Sequence, residues 1–199
     1  NGGALTLEAP IASSFNATLA GAFSASLEDG DKNSFNNDIA IWSVDSSSNA
    51  TLIAKTGDTA PDSSDTFLSF GKPAVDSDGD VYFWSNLLTE NEAEGLYQFS
   101  DGSLATLAST TQAIDVFGTP RTYSEFLDPV VNGAGDLAVL ATEALGDLQT
   151  ILHRDSSGVW SIVAQTDMQA PGAQSGVTFN ILSSPQLNGN GQVAFQASL

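Results

Sequence analysis

A short segment recurs three times in this 199-residue chain at a constant spacing of 56 residues, and its copies begin at Pro73, Pro129 and Pro185. Three residues after each proline stands Asn or Asp, and a glycine follows three residues later. Tandem repetition at a fixed period is typical of folds that place one supersecondary unit after another. The spacing therefore predicts equivalent units, with turns at Asp76 and Gly79, Asn132 and Gly135, and Asn188 and Gly191.

Each unit has the residue pattern of four short antiparallel strands. The first strand follows the Asn-x-x-Gly segment, the second and third form a hairpin, and the fourth carries a Thr-aromatic pair such as Thr66-Phe67. Asp101-Gly102, between two apolar runs, is a typical tight-turn pair. The predicted hairpin strands are 38–44 with 51–55, 95–99 with 104–108, and 149–153 with 159–164.

Four strands in each unit predict an all-β fold of the β-propeller type, with a β-trefoil or a β-solenoid as alternatives. We expect a single repeat domain over residues 1–199. Its parts are units at about 15–72, 73–128 and 129–184, a terminal strand at 185–199 and an N-terminal strand at 4–9. Equivalent positions should be similarly buried, in one set Phe67, Tyr123 and Phe179, and in another Val81, Leu137 and Val193.

The first unit is the most divergent copy. Residues 19–27 resemble residues 191–199, but the Asn-x-x-Gly motif is missing there, and the spacing from Phe23 to Phe83 is 60 residues. Asn16 begins a glycosylation sequon, Asn16-Ala-Thr18, and no turn is predicted at this residue. We therefore expect this copy to lack the turn.

The Asn-x-x-Gly segment is predicted to be a turn, because Asn or Asp accepts backbone N–H groups through its side chain and glycine supplies a positive φ. The alternative is cation binding. Asp76, Asp78 and Asp80 place three carboxylates at alternate positions, partly like a Ca²⁺ loop, but a distal Glu is missing and the sister copies lose the charge except at Asp136. Ca²⁺ is thus the candidate cofactor, and the loop 28–38 is a weaker candidate for the same ion.

The charge balance excludes some partners. The chain has 24 acidic and 5 basic residues, a net charge of −19, and no cysteine. Nucleic acid and anionic membrane surfaces would be repelled, and disulfides and thiolate metal sites are excluded. No apolar run reaches the roughly 18 residues of a membrane span. His153 is the only histidine and no Gly-x-Ser-x-Gly elbow exists, so we expect no catalytic residues and no enzyme.

The repeat motif resembles a known family. Asn188, Gly191, Ala194 and Phe195 match the pattern of bacterial secreted proteins named for the tandem repeat Asn-x-x-Gly-x-x-Ala-Phe. The other two copies match in part, and the resemblance covers residues 15–199. It implies export to the cell surface or the extracellular medium, a propeller-like fold and no catalytic residues.

Two functions are compatible with these observations. The first is a structural protein, a subunit of a surface layer or filament, in which a terminal strand of one copy completes the open sheet of the next. The strand at 193–199 begins a unit whose other strands are missing, and exposed sheet edges are seldom left bare. The residues predicted to take part are Leu5, Leu7, Val193, Phe195 and Leu199. The second function is a secreted binding module for glycans or protein partners.

Overall fold

The computed structural model describes residues 6–7, 12–16, 20–28, 38–89 and 93–199. Every regular element among them is a β-strand, 21 in all. The prediction of an all-β protein is confirmed. The strands fall into three large sheets and two short two-stranded sheets.

The first sheet has the order β1-β3-β4-β5, with β2 also paired to β3. The predicted hairpin lies at one end of this order, where β4 and β5 pair antiparallel from Ala40↔Lys55 to Val44↔Ala50. Its connecting turn is set by Asp45, whose Oδ1 accepts the N–H groups of Ser47 and Asn49. The strands are β1 (Thr6–Leu7), β2 (Ala12–Phe15), β3 (Gly21–Glu28), β4 (Asp38–Val44) and β5 (Ala50–Lys55).

The second sheet has the order β10-β9-β8-β6, with β7 beside β8. The turn between β9 and β10 contains Asp101 and Gly102, both with positive φ of 51° and 77°, as a two-residue type I′ hairpin requires. The strands are β6 (Thr66–Phe70), β7 (Ala74–Val75), β8 (Val81–Leu88), β9 (Glu94–Ser100) and β10 (Ser103–Ser109).

The third sheet has the order β12-β11-β17-β16-β15-β13, with β14 beside β15. Its hairpin β11–β12 was not expected from the sequence, and it joins β17 through one parallel pairing, Val116↔Trp160. The strands are β11 (Ile114–Val116), β12 (Thr119–Arg121), β13 (Tyr123–Phe126), β14 (Val130–Val131), β15 (Leu137–Glu143), β16 (Gln149–Arg154) and β17 (Trp160–Gln165).

The last strands form two short pairs. The strand predicted at 193–199 consists of two pieces, β20 (Val193–Ala194) and β21 (Ala197–Ser198). On one side β20 pairs with β19 (Gln186–Leu187), and β21 pairs with β18 (Ile181–Leu182). In the second and third sheets the equivalent side is paired, β8 with β9 and β15 with β16. No described strand pairs with this side of β20 or β21.

The prediction of similar burial is correct for two positions in each set and wrong for the third. Phe67 is 2 % exposed and Tyr123 is 0 % exposed, but Phe179 is only half-buried. Val81 and Leu137 are fully buried, whereas Val193 is half-buried. Phe179 and Val193 pack at the edge of the smallest core cluster. The short strands there, β18 to β21, pair only in twos, so fewer neighbours bury these side chains.

Candidate functional site

The three predicted turns have the same hydrogen-bond geometry. In each, Oδ1 of the leading residue accepts two backbone N–H groups, two and four residues further on. The distances are 3.0 and 3.0 Å at Asp76, 2.9 and 3.0 Å at Asn132, and 3.0 and 2.9 Å at Asn188. The glycines at the fourth position have φ of 90°, 82° and 76°. The Asn-x-x-Gly segment is therefore an Asx turn closed by a left-handed glycine.

The first copy lacks the glycine of the motif, as expected, but Asn16 and Ala20 make two of the hydrogen bonds found in the other turns, which the sequence did not predict. The N–H of Asn16 donates to the Ala20 carbonyl at 2.9 Å, and Asn16 Oδ1 accepts the Ala20 N–H at 3.0 Å. Asn16 lies 60 residues before Asp76, the same spacing as Phe23 to Phe83. This spacing is the sequence signal that could have identified Asn16.

The pair Asn16 and Ala20 and the three turns at 76–80, 132–136 and 188–192 lie in a row that we call the turn column. Asn16 Nδ2 donates to the Asp76 carbonyl at 2.7 Å, and Asn132 Nδ2 donates to the Asn188 carbonyl at 3.1 Å. Between the turns at 76–80 and 132–136 the link is a backbone one, from Ser77 N–H to the Gly133 carbonyl at 3.3 Å. Each turn is thus hydrogen-bonded to the next.

A second set of links joins neighbouring sheets away from the column. Glu94 Oε2 on β9 accepts the Phe126 N–H at 2.7 Å and the Trp84 indole N–H at 3.0 Å. In the same way Gln149 Oε1 on β16 accepts the Leu182 N–H at 2.8 Å. Burial raises the pKa of Glu94. Sequence reasoning missed these residues because the two side chains differ in type and their positions are 55 residues apart, not the 56 of the repeat.

The candidate Ca²⁺ ligands are spread rather than gathered. Asp76 is 5 % exposed, and its Oδ2 accepts the Tyr82 hydroxyl at 3.1 Å, so both carboxylate oxygens already have donors. Burial raises the pKa of Asp76. Asp78 is exposed, and Asp80 Oδ2 accepts Gln98 Nε2 at 3.0 Å.

Among the described residues no group of three His, Cys, Asp or Glu side chains could hold a metal ion. The Ca²⁺ site at Asp76, Asp78 and Asp80 stays a prediction. The weaker candidate loop lies almost wholly at 29–37, outside the described residues.

The terminal strands are placed as follows. Leu5 lies outside the described residues, and Leu7 is paired with Leu27 within the chain. Val193 and Phe195 are half-buried and Leu199 is 63 % exposed. Phe195 packs edge to face on Phe179, with ring centroids 5.7 Å apart. The outer side of β20 and β21 is called the open edge below.

His153 lies on β16. Its Nε2 is buried without a hydrogen-bond partner among the described residues, as is the Tyr123 hydroxyl. The described residues also contain no helix long and apolar enough to cross a bilayer.

Comparison with protein families gives one match. A model described as a family of unknown function, DUF7453, covers residues 2–199. The chain belongs to this family. The DUF7453 match includes the turn column and the open edge, so both are parts of the same family domain. No curated protein matches the chain.

Proposed function

We propose that this chain is an exported structural protein, a propeller-like array of tandem units that assembles end to end. The array is supported by strand order, because β6–β10 and β13–β17 follow the same pattern of pairing. In each, two short strands pair with the same edge of one long strand, β8 or β15. The next two strands of the chain then add to the other edge, which gives the four-stranded width of a propeller blade. Export rests on the resemblance to secreted proteins and on the net charge of −19.

The observation that carries assembly is the open edge. Ser183 N–H donates to the Gln196 carbonyl and Asn180 N–H to the Ser198 carbonyl, both at 2.9 Å. Backbone groups of alternate residues in an antiparallel strand point to opposite sides. The N–H and carbonyl of Ala197 therefore point to the open edge, where no described strand pairs with them.

A second copy of this chain is the partner that fits the edge best. Residues 193–199 carry no charged side chain, and neither do residues 1–7, although the whole chain is strongly acidic. Strand β1 lies at the end of the strand order in its sheet. Pairing of β1 from one copy with the open edge of another would join two uncharged segments and continue the sheet. Such a contact is heterologous, so repetition produces a ring or a filament.

The test removes one outward N–H without touching the hydrogen bonds inside the chain. Ala197→Pro deletes the donor at the open edge, and Ala197→Ser is the matched control. We expect the wild type and Ala197→Ser to form oligomers or filaments in sedimentation velocity and electron microscopy, whereas Ala197→Pro stays monomeric with an unchanged circular dichroism spectrum. A wild-type chain that stays monomeric at high concentration, or a proline variant that assembles equally well, refutes the proposal.

A further inference from the structure

A cavity of about 370 Å³ lies where three parts of the chain meet. Its walls are the loop 61–65, the end of β10 with the following segment 111–115, and Gly158 with Trp160 of the third sheet. The Thr106 hydroxyl ties two of these walls together, because it donates to the Pro61 carbonyl at 3.0 Å. A cavity of this size is in the usual range for small-molecule sites.

The lining is acidic and rich in hydroxyls. Asp62, Asp65 and Asp115 line the cavity, and no Lys, Arg or His does. Asp115 Oδ1 accepts the Gly118 N–H at 2.6 Å and Asp65 Oδ2 accepts the Ser63 hydroxyl at 2.9 Å, which leaves the second oxygen of each without a partner among the described residues. Free carboxylate oxygens accept hydrogen bonds from ligand hydroxyl or ammonium groups, and an anionic ligand would be repelled.

Tyr97 adds an unpartnered donor. Its side chain is 2 % exposed, lines the cavity and makes no hydrogen bond with any described residue. Burial raises the pKa of Tyr97, so the hydroxyl keeps its proton over the physiological range. The hydroxyl can therefore donate a hydrogen bond to a ligand oxygen in the cavity.

Aromatic surface is provided next to the acidic lining. A second cavity of about 240 Å³ shares Asp115, Gly158 and Trp160 with the first and adds Phe117. Phe117 is 75 % exposed and has a φ of 49°. A bulky residue in this region of φ is a backbone outlier, and the hairpin turn holds its ring out to solvent at the cavity mouth.

We propose that the two adjoining cavities, together the groove, bind a neutral oligosaccharide. Sugar hydroxyls would donate to Asp62, Asp65 and Asp115 and accept from Tyr97, while an apolar sugar face packs on Phe117. A small cation fits less well, because the carboxylates do not converge and Phe117 and the hydroxyls would have no role. The groove and the open edge share no residue, so this proposal and the assembly proposal fail independently.

The first experiment screens the intact chain on an array of immobilised neutral glycans. Calorimetry then measures the affinity for the strongest soluble glycan and, in a separate titration, for spermidine as a cationic probe. Tyr97→Phe and Asp115→Asn should each weaken glycan binding about tenfold, the loss of about one hydrogen bond to a charged or buried group. Asp147→Asn, in an exposed turn outside the groove, is the control and should bind as the wild type does.

Trp160→Phe gives an independent measurement. Binding in the groove should change the tryptophan fluorescence of the wild type, and that change should be reduced in Trp160→Phe, which keeps Trp42 and Trp84. No hit on the array, equal affinity in the Tyr97 and Asp115 variants, or salt-sensitive binding of spermidine alone would each overturn the proposal. Fluorescence change that persists without Trp160 would place binding elsewhere and overturn it as well.

Discussion

The side-chain amide of Asn132 donates a hydrogen bond of 3.1 Å to the main-chain carbonyl of Asn188, 56 residues further along the chain. The same amide donates to Asp136 Oδ2 at 2.7 Å, and Asn132 is 5 % exposed. One side chain therefore closes its own turn and fastens it to the next.

Asn132→Asp should destabilise the protein by about 2–4 kcal/mol. The substitution removes both amide donors and places a second carboxylate against Asp136, and unpaired buried groups and like charges are both costly. Urea unfolding followed by circular dichroism measures the loss. The control is Asn188→Asp, which should change stability much less. Asn188 is exposed, and its side-chain NH2 group donates only to Gln192 Oε1, at 2.8 Å. Equal losses at the two positions would show that the link between turns carries little free energy.

Asp76→Asn should stabilise the protein at neutral pH. Burial raises the pKa of Asp76 in the folded state above its unfolded value, so wild-type stability is greatest below the unfolded pKa and falls as pH rises through the folded pKa. An amide does not titrate and avoids this loss. The gain in melting temperature should therefore be present at pH 7 and should shrink toward pH 3. A gain that does not depend on pH would mean that charge burial at Asp76 is not its cause.

Removal of divalent ions tests the remaining Ca²⁺ prediction. A site at Asp76, Asp78 and Asp80 requires that a chelator lowers the melting temperature and that Asp78→Ala abolishes this effect. Because both oxygens of Asp76 already accept hydrogen bonds, we expect identical melting curves with and without chelator. Differential scanning calorimetry on the wild type and on Asp78→Ala decides the question.

Phe67→Ala should cost about 3–5 kcal/mol, the usual range for a large aromatic core residue. Phe67 is 2 % exposed and its ring lies 5.1 Å from that of Tyr97. Phe179→Ala, at the corresponding sequence position just before β18, should cost clearly less because Phe179 is only half-buried. The comparison uses urea unfolding of both variants. If the two losses were equal, another strand or another copy would have to cover Phe179 in solution.

Much of the architecture could be predicted from local chemistry. The hairpins β4–β5, β9–β10 and β16–β17 follow from alternating apolar residues and strong turn residues, and Asp101-Gly102 alone fixes one register. Asn16 could not be predicted from the motif because the residue three positions later is not glycine, although two hydrogen bonds join Asn16 and Ala20.

The parts that could not be predicted depend on contacts between distant segments. The hairpin β11–β12 has only three residues in each strand and is fixed by pairing with Trp160 from a later strand. The groove needs the loop 61–65, Tyr97 and Trp160 in one place, and no local pattern brings them together. Burial of Phe179 and Val193 likewise depends on which strands lie beside them, a property of the sheet and not of their sequence positions.

The turn column bears on how proteins of this kind change length during evolution. The side-chain amide of Asn16 donates to the main-chain carbonyl of Asp76, and that of Asn132 donates to the main-chain carbonyl of Asn188. Such an acceptor is present whatever side chain the residue carries. Duplication or loss of a gene segment that encodes one sheet and a turn beginning with Asn would therefore recreate the same contact at the new junction, without a compensating mutation of the acceptor residue.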